Sequence, residues 1–266
     1  MPLAVCATPI GNLEDVTLRV LHELGAADLV LCEDTRRTRI LLDRHGVTAR
    51  LLSYHEHNES ARGAQVLPRL VAGDRIALVS DAGLPGVNDP GAKLIAAAVE
   101  AGVPVTVLPG ASAVETALVA SGFQAERYQF VGYLPRGEAA LAALWDALGR
   151  WPWPAVAFES PRRLPMTLRS LAEALPDRPV AVCRELTKQF EEVVRGPASE
   201  IAARFQEAPK GEITLVLAPG EVVGDEGPAI EAVAELVTAG ISRRQAADLV
   251  ARLTGVRRNA LYRGSL

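Results

Sequence analysis

A long loop rich in glycine and proline reads Ser80-Asp81-Ala82-Gly83-Leu84-Pro85-Gly86-Val87-Asn88-Asp89-Pro90-Gly91. It follows an apolar run at residues 76–79 and precedes a helical pattern at residues 92–101, which predicts a strand, a loop and a helix. Ligands of open α/β sheets bind just beyond the carboxyl ends of the strands, and loops this long are usually functional or disordered. We therefore interpret the loop as a binding element with Asp81 as a hydrogen-bond acceptor; a connector without a ligand is the alternative.

The rest of the first half repeats this alternation of strand and helix. Apolar runs that predict strands occupy residues 3–7, 28–33, 51–53, 76–79 and 103–108. Alternation of this kind is typical of a mostly parallel sheet covered by helices on both faces. We place the end of this first α/β domain at residue 121, before a break at residues 122–126.

The second half is less regular, which favours antiparallel pairs in its sheet. Strands are predicted at residues 128–134, 155–158, 180–184, 191–195 and 213–217. A linker at residues 219–227 precedes three short helices, one with Ser242 as N-cap and Gly255 as its stop. We therefore predict an α/β protein with two α/β domains and a small C-terminal helical appendage. The domains span residues 1–121, 122–220 and 226–266; the last is either helix-turn-helix-like or a packing appendage.

Composition and charge narrow the classes of function. The 266 residues are 49% hydrophobic and carry a net charge of −4, so the chain as a whole is not a basic nucleic-acid binder. Residues 243–263 hold six arginines against one acid and fit either a phosphate backbone or a solvated helix face. No apolar run reaches membrane-spanning length and no leader precedes the first strand, so we expect a soluble cytoplasmic protein without membrane contact.

The cysteines and histidines lack the spacing of a metal site, and we expect no metal. Cys6, Cys32 and Cys183 each lie in or beside an apolar run, which favours core thiols over disulfides or catalysis. The chain contains no GxGxxG and no Walker Gly-Lys-Ser/Thr sequence. This argues against a nicotinamide dehydrogenase and against a phosphate-loop NTPase.

A dense polar cluster follows the second predicted strand and precedes a helix predicted at residues 39–45. It consists of Glu33, Asp34, Arg36 and Arg37. The cluster is either functional or a surface ion-pair set. Its position favours function, because several strand-end loops converge at one edge of a parallel sheet and build a site there.

Two further loops of the first half carry candidate groups. His57 fits a base near neutral pH beside Asn58, although a plain polar loop is the alternative. Backbone donors at residues 111–113 begin a helix and fit a ligand carboxylate. Ser112 is equally an ordinary N-cap.

Nine motifs, in order, cover essentially the whole chain. In the first half they are Thr8-Pro9-Ile10-Gly11-Asn12-Leu13-Glu14-Asp15, Glu33-Asp34-Thr35-Arg36, His57-Asn58-Glu59, Ser80-Asp81-Ala82-Gly83, Asp89-Pro90-Gly91 and Pro109-Gly110-Ala111-Ser112-Ala113. In the second half they are Phe130-Val131-Gly132-Tyr133-Leu134-Pro135-Arg136, Phe158-Glu159-Ser160-Pro161-Arg162-Arg163 and Arg184-Glu185-Leu186-Thr187-Lys188. Together they resemble the tetrapyrrole-methylase superfamily, and within it the bacterial 16S rRNA (cytidine-2′-O)-methyltransferases, whose C-terminal appendage the last helices resemble.

The resemblance implies S-adenosylmethionine as methyl donor, bound in a cleft between two α/β domains, and a homodimer. It implies 16S rRNA, or the small ribosomal subunit, as the partner. The donor-binding positions that carry over are Pro9, Ile10, Gly11, Asp81, Gly83, Leu84, Ala111, Ser112 and Ala113, with Leu134, Phe158 and Ile213 from the second half.

The activity that the resemblance implies is 2′-O-methylation of a cytidine ribose. A ribose hydroxyl is a weak nucleophile, so a base or a charge stabiliser should assist it. Our candidates are Asp34 or His57 as base, Lys188 or Arg36 as cation, and Glu33 and Asn58 as orienting groups. We expect RNA contacts from the basic C-terminal segment and from Arg36, Arg37, Arg39, Arg162 and Arg163.

Two other functions remain open at this point. The first is a small-molecule methylase of the same superfamily that acts on a tetrapyrrole of the precorrin type. The arginine-rich loops and the helical tail argue against it. The second is a non-catalytic RNA-binding module, against which the converging strand-end loops argue, because simple binding needs no donor pocket.

Overall fold

The computed structural model of the chain describes residues 2–220, 226–256 and 258–265. In the first half, five strands form one sheet: β1 (Leu3–Cys6), β2 (Leu29–Cys32), β3 (Leu51–Ser53), β4 (Ile76–Leu78) and β5 (Val105–Leu108). All neighbouring pairs are parallel and the order is β3-β2-β4-β1-β5. The predicted parallel sheet is confirmed.

Alternate residues of β1 belong to two separate cores. Leu3 and Val5 lie in one core, and Ala4 and Cys6 lie in the other, because successive side chains of a strand point to opposite faces. The first half contributes the helices α1 (Leu18–Ala26), α2 (Thr35–Arg44), α3 (Glu59–Val71), α4 (Ala92–Glu100) and α5 (Ala113–Ser121), and a 3₁₀ turn at Leu13–Asp15. Helices α3 and α4 contribute to the first core and α1 and α2 to the second.

The strand order creates a topological switch point between β1 and β4. The chain leaves β1 toward β2 and β3 on one side of the sheet, and it leaves β4 toward β5 on the other side. Such a reversal opens a crevice at the carboxyl ends of the two strands, where ligands of open α/β sheets bind. The loops that follow β1 and β4 border this crevice.

The segment after β2 is more helical than its sequence predicts. The pattern predicts a helix from residue 39, but α2 begins at Thr35. Asp34 caps the helix, because its carboxylate accepts the backbone N–H of Arg36 at 2.8 Å. Arg36 and Arg37 therefore lie in the first turn of a helix.

The second sheet has mixed strand directions. Its strands are β6 (Gln129–Tyr133), β7 (Ala155–Glu159), β8 (Pro179–Arg184), β9 (Glu192–Pro197) and β10 (Ile213–Leu217), in the order β6-β7-β10-β8-β9. The pair β6–β7 is parallel, and the pairs β7–β10, β10–β8 and β8–β9 are antiparallel. The expected antiparallel pairs are confirmed.

Helices from both halves of the chain cover the second sheet. One face packs against α6 (Glu138–Gly149), α7 (Leu164–Ala174) and α8 (Ala198–Arg204). The other face packs against α5, the last helix of the first half, where Leu118 shares a core with Val156 and Val216. Helix α5 therefore joins the two halves through a buried apolar contact.

The C-terminal residues form three helices with a core of their own. They are α9 (Glu226–Thr238), α10 (Arg243–Thr254) and α11 (Arg258–Gly264). Ser242 caps α10 and Gly255 ends it with a left-handed φ of 75°, as predicted. Of the predicted linker at residues 219–227, residues 221–225 lie outside the described residues, and residues 226 and 227 belong to α9.

The cysteines are core residues, as predicted. Cys6, Cys32 and Cys183 are buried and unpaired, and burial raises the pKa of Cys6 and of Cys183 to about 12. In the part of the chain that the structure describes, no helix is both long and apolar enough to span a membrane, and no group of histidine, cysteine or acidic side chains has the arrangement of a metal site.

We expect Leu118→Ala to lower the free energy of unfolding by about 2–5 kcal/mol, because it leaves a cavity between α5 and the second sheet. Leu118 is 6% exposed. Urea unfolding followed by circular dichroism measures the change. The neighbouring Val119 is 81% exposed on the same helix. Val119→Ala is therefore the matched control, with an expected change of less than about 0.5 kcal/mol; equal losses in the two variants would contradict the packing of α5.

Candidate active site

A cavity of about 870 Å³, the main cleft, lies between the two sheets. Its first-half wall comes from the loops that follow β1, β2, β4 and β5, and its second-half wall comes from β6, β7 and β10 and from residues 183 and 186. A side cavity of about 250 Å³ adjoins it. The two share Ile10, Arg37, Asp81, Ala82 and Glu212 as lining residues, so they form one continuous site.

The loops after β1 and β4 are tied together at the switch point. The backbone N–H of Thr8 donates to the carbonyl of Gly83 at 2.8 Å, and the N–H of Gly83 donates back to Thr8 at 3.1 Å. The Thr8 hydroxyl donates to the carbonyl of Ser80 at 3.0 Å. Gly83 has a φ of 78°, a conformation that glycine adopts without a steric penalty. These contacts fix the backbone on both sides of Asp81.

Asp81 lies where the two cavities meet. One of its carboxylate oxygens accepts the backbone N–H of Asp34 at 3.0 Å, and the other lies 3.4 Å from a guanidinium nitrogen of Arg37. The loop after β4 is thereby joined to the start of α2. A carboxylate held by one N–H and one cation keeps a defined orientation and has further lone pairs for a ligand donor.

The second half supplies an aromatic wall. The rings of Phe130 and Phe158 have centroids 5.0 Å apart and those of Tyr133 and Phe158 are 5.6 Å apart, both in edge-to-face geometry. Phe158 and Ile213, two of the predicted donor positions, line the main cleft. Leu134, the third, is not among the lining residues; it is buried, and its carbonyl accepts a hydrogen bond from Arg163 at 3.0 Å.

The first turn of α5 lines the cleft without a side-chain cap. Ser112 occupies the N-cap position, but its hydroxyl donates to the carboxylate of Glu115 instead of accepting a backbone N–H. The hydroxyl of Tyr128 donates to the same carboxylate at 2.5 Å. The predicted positions Ala111, Ser112 and Ala113 all line the main cleft. An uncapped helix start offers backbone donors and a positive dipole end to an anion.

Glycine is required where the loop after β5 approaches β1. A Cβ on Gly110 would lie 2.9 Å from the Cβ of Ala7. Both residues line the main cleft. Any larger side chain at position 110 would therefore push the start of α5 away from the end of β1.

Three carboxyl groups from the loops after β2 and β4 line the main cleft together: Glu33, Asp81 and Asp89. Burial and the charge of Glu33 raise the pKa of Asp89 to about 6. Burial and the charge of Asp81 raise the pKa of Glu33 above its usual range. Asp89 is absent from the predicted site residues. The sequence signals were its place in the loop after β4 and the motif Asp89-Pro90-Gly91; its burial and its neighbouring charges are set by the fold.

Asp34 and Arg36, two predicted catalytic residues, bind each other outside the lining of both cavities. The guanidinium of Arg36 donates to both oxygens of Asp34, at 3.1 and 2.7 Å. This side-chain pair and the capping N–H lower the pKa of Asp34 to about 2. So weak a base is poorly suited to take a proton near neutral pH.

His57 and Asn58 shape the turn before α3 and are also absent from the lining of both cavities. The side-chain amide of Asn58 donates to the carbonyl of Ser53 at 3.3 Å and lies 3.0 Å from a ring nitrogen of His55. The ring of His57 is exposed and lies edge-on to His55 at 5.9 Å between centroids. His57 and Asn58 therefore belong to a structured polar turn and do not line the site.

Lys188, the remaining predicted cation, lines the side cavity with Pro9 and Gly11. Its ammonium group lies 2.8 Å from Glu185 and 3.0 Å from Glu212. Burial disfavours the charge, but the hydrogen bonds to these two carboxylates outweigh it and raise the pKa of Lys188. Lys188 therefore remains a cation at the edge of the site.

The loop that carries Lys188 also joins the two halves. A Cβ on Gly11 would lie 2.5 Å from Cγ of Lys188, and the N–H of Asn12 donates to the hydroxyl of Thr187 at 3.0 Å. Glu185 and Thr187 have positive φ values of 52° and 65°. Such conformations are uncommon for residues other than glycine and concentrate at functional sites.

Two known family models match nearly the whole chain. The family model described as Tetrapyrrole (Corrin/Porphyrin) Methylases matches residues 2–202, and that of the RsmI C-terminal HTH domain matches residues 224–264. A protein of Mesorhizobium japonicum named Ribosomal RNA small subunit methyltransferase I is 43% identical over 98% of this chain and 90% of its own length. A protein of the same name from Micromonospora olivasterospora is 45% identical over 98% and 85%.

Solved structures have the same fold. The methyltransferase CobJ matches with a TM-score of 0.62 at 20% identity, over 82% of this chain and 94% of its own. The uroporphyrin-III C-methyltransferase of Thermus thermophilus, complexed with S-adenosyl homocysteine, matches with a TM-score of 0.57 at 20% identity, over 83% and 98%. The chain is therefore a member of the tetrapyrrole methylase family, in the group of the ribosomal RNA small subunit methyltransferases I.

Proposed function

We propose that this chain uses S-adenosylmethionine to methylate the ribose 2′-hydroxyl of a cytidine in the 16S RNA of the small ribosomal subunit. The observation that carries the proposal is the continuous site at the switch point between β1 and β4, which both halves of the chain line. The cofactor follows from family membership. The RNA substrate is supported by the names of relatives that are 43% and 45% identical over nearly the whole chain.

The main cleft fits the chemistry of the methyl donor. An adenine ring suits the apolar wall of Phe130, Phe158 and Ile213. A carboxylate suits the uncapped first turn of α5. The positive charge of the donor suits the carboxylate of Asp81, which lines the same cleft. We assign donor binding to Ile10, Asp81, Gly83, Leu84, Ala111, Ser112, Ala113, Phe158 and Ile213, with Pro9 and Gly11 on the side cavity.

The bound donor supplies a methyl group already activated by its sulfonium centre. The protein has to hold the ribose hydroxyl in line with that group, exclude water and accept a proton. In this proposal the RNA nucleotide lies at the junction of the two cavities, where Asp81 and Arg37 line both and Lys188 lines the side cavity, so that its ribose faces the main cleft. Lys188 and Arg37 would there neutralise a phosphate or developing oxygen charge.

Exposed arginines provide further phosphate contacts in this proposal. The side chain of Arg36 is 88% exposed and that of Arg37 is 62% exposed, and Arg39 and Arg162 are exposed as well. Arg163 does not fit this role, because its guanidinium donates to the carbonyls of Leu134 and Pro135 and pairs with buried Glu159.

Some arginines of the predicted basic segment are exposed on the C-terminal helices. Arg244, Arg252 and Arg263 are exposed, and Arg258 forms an ion pair with Asp248. Arg257 lies outside the described residues. These helices are a second RNA-binding surface in our proposal, and salt should weaken RNA binding because phosphate contacts release counterions. A homodimer, which the family resemblance implies, and a cytoplasmic location, which fits a ribosomal RNA substrate, complete the proposal.

The direct test is methyl transfer from radiolabelled S-adenosylmethionine to small ribosomal subunits that lack the modification, and to naked 16S rRNA. We expect label in a single alkali-resistant dinucleotide containing cytidine, because a 2′-O-methyl group blocks alkaline cleavage at that position. Label in an alkali-sensitive nucleotide would contradict ribose methylation. Label in neither RNA, with donor binding intact and transfer to a tetrapyrrole, would support the small-molecule methylase instead.

We expect Asp81→Asn to weaken S-adenosylmethionine binding at least tenfold, because the change removes the central carboxylate charge of the site and its pairing with Arg37. Isothermal titration calorimetry measures the dissociation constant. Asp43→Asn, an exposed position on α2, is the matched control and should bind the donor like the parent chain. Unchanged affinity in Asp81→Asn would contradict the placement of the donor at the switch point.

A further inference from the structure

Six acidic side chains line the main cleft, and four of them already have strong partners. Among the residues that the structure describes, these four are engaged as follows: Asp81 by Arg37 and the N–H of Asp34, Glu115 by Ser112 and Tyr128, Glu159 by Thr167 and Arg163, and Glu212 by Lys188. Glu33 and Asp89 form no ion pair within the described part of the chain. They are the two acids of the cleft that are best placed to act as a base.

The surroundings of Asp89 favour a base that works near neutral pH. Its carboxyl is half-buried and faces the like charges of Glu33 and Asp81, from the loops after β2 and β4. Burial and these charges raise the pKa of Asp89, and a hydrogen bond from the hydroxyl of Ser80 partly offsets the rise. Burial and the charge of Asp89 raise the pKa of Tyr133, which faces it from β6. The resulting pKa of about 6 leaves most of Asp89 ionised at neutral pH and still basic enough to take a proton.

The backbone holds Asp89 in one position. Asn88, the residue before it, has a φ of 59°, a left-handed conformation that asparagine tolerates better than most residues. A Cβ on Gly132 would lie 3.3 Å from the side-chain oxygen of Asn88, so this part of the loop packs closely on the bulge of β6. A Cβ on Gly91 would lie 2.8 Å from Leu78 of β4. The loop around Asp89 is therefore fixed against both halves of the chain.

We propose that Asp89 is the catalytic base that accepts the proton of the ribose 2′-hydroxyl during the methyl transfer proposed above. The inference rests on that proposed function. The O–H bond breaks as the oxygen forms its bond to the methyl carbon, and the carbon–sulfur bond breaks with its electron pair staying on sulfur. The proton moves to the Asp89 carboxylate and then leaves to solvent, so no further reactant is needed.

The other acid–base candidates of the chain are less suitable. Asp34 is held by Arg36, and neither it nor His57 lines either cavity. Asp81 is oriented by Arg37 and by a backbone N–H. Glu33 is the nearest rival, because it lines the cleft beside Asp89 and also has a raised pKa.

The test is the pH dependence of single-turnover methylation of small subunits at saturating donor. A carboxylate base must be ionised, so the rate of the parent chain should rise with pH through about 6 and level off above it. Asp89→Asn should lower the plateau rate by about 10²–10⁴-fold and abolish this inflection, whereas donor affinity changes less than about tenfold. Asp89→Glu should restore part of the rate. Asp43→Asn should behave like the parent chain, and thermal unfolding verifies that each variant is folded.

Each contrary outcome has a distinct meaning. A parent profile without an inflection near pH 6 would overturn the proposal even if Asp89→Asn failed to fold. A folded Asp89→Asn variant with the parent rate would overturn it as well. If Asp89→Asn lowers the rate but keeps the inflection near pH 6, Glu33 and not Asp89 is the base. Glu33→Gln should then abolish the inflection. If the parent chain binds the donor but methylates no small subunit, the proposed function itself fails, and the inference fails with it.

Discussion

The reciprocal backbone hydrogen bonds between Thr8 and Gly83 are the constraint on which the site depends. They join the loops after β1 and β4 at the point where the strand order reverses. Without this pair, the two loops would diverge with the helices that follow them. With it, Asp81 is held at the junction of the main cleft and the side cavity, and its contacts with Asp34 and Arg37 bring the start of α2 to the same place.

The second requirement is that the two sheets keep a fixed relation, because each supplies one wall of the cleft. Helix α5 belongs to the first half in sequence but packs its apolar face on the second sheet. A second connection between the halves is the loop at residues 185–188, which contacts Gly11 and Asn12 in the loop after β1. Two strained residues in that loop show that its shape is imposed by these contacts and not by local preference. The uncapped start of α5 and the aromatic wall can therefore face the same ligand.

The sequence predicted the strands, the parallel first sheet and the antiparallel pairs of the second, because these follow from apolar runs and their punctuation. It also predicted the loops that line the cleft, since strand-end loops of a parallel sheet share one edge. It did not predict how individual side chains are engaged. Asp34 was a candidate base at a strand end, with a surface ion-pair set as the alternative, and in the structure it caps α2 and binds Arg36. Asp89 lay in one of the motifs that carry the resemblance, but its basicity could not be predicted, since it comes from burial and from Glu33, which lies 56 residues earlier in the chain.

The crystal structure of the chain with bound S-adenosyl homocysteine tests the central claim most directly. Our account predicts density in the main cleft, with the adenine against Phe158, the carboxylate at the first turn of α5 and the sulfur facing the side cavity near Asp81. Density elsewhere on the first sheet, or a ligand that contacts neither the loop after β4 nor α5, would contradict the account.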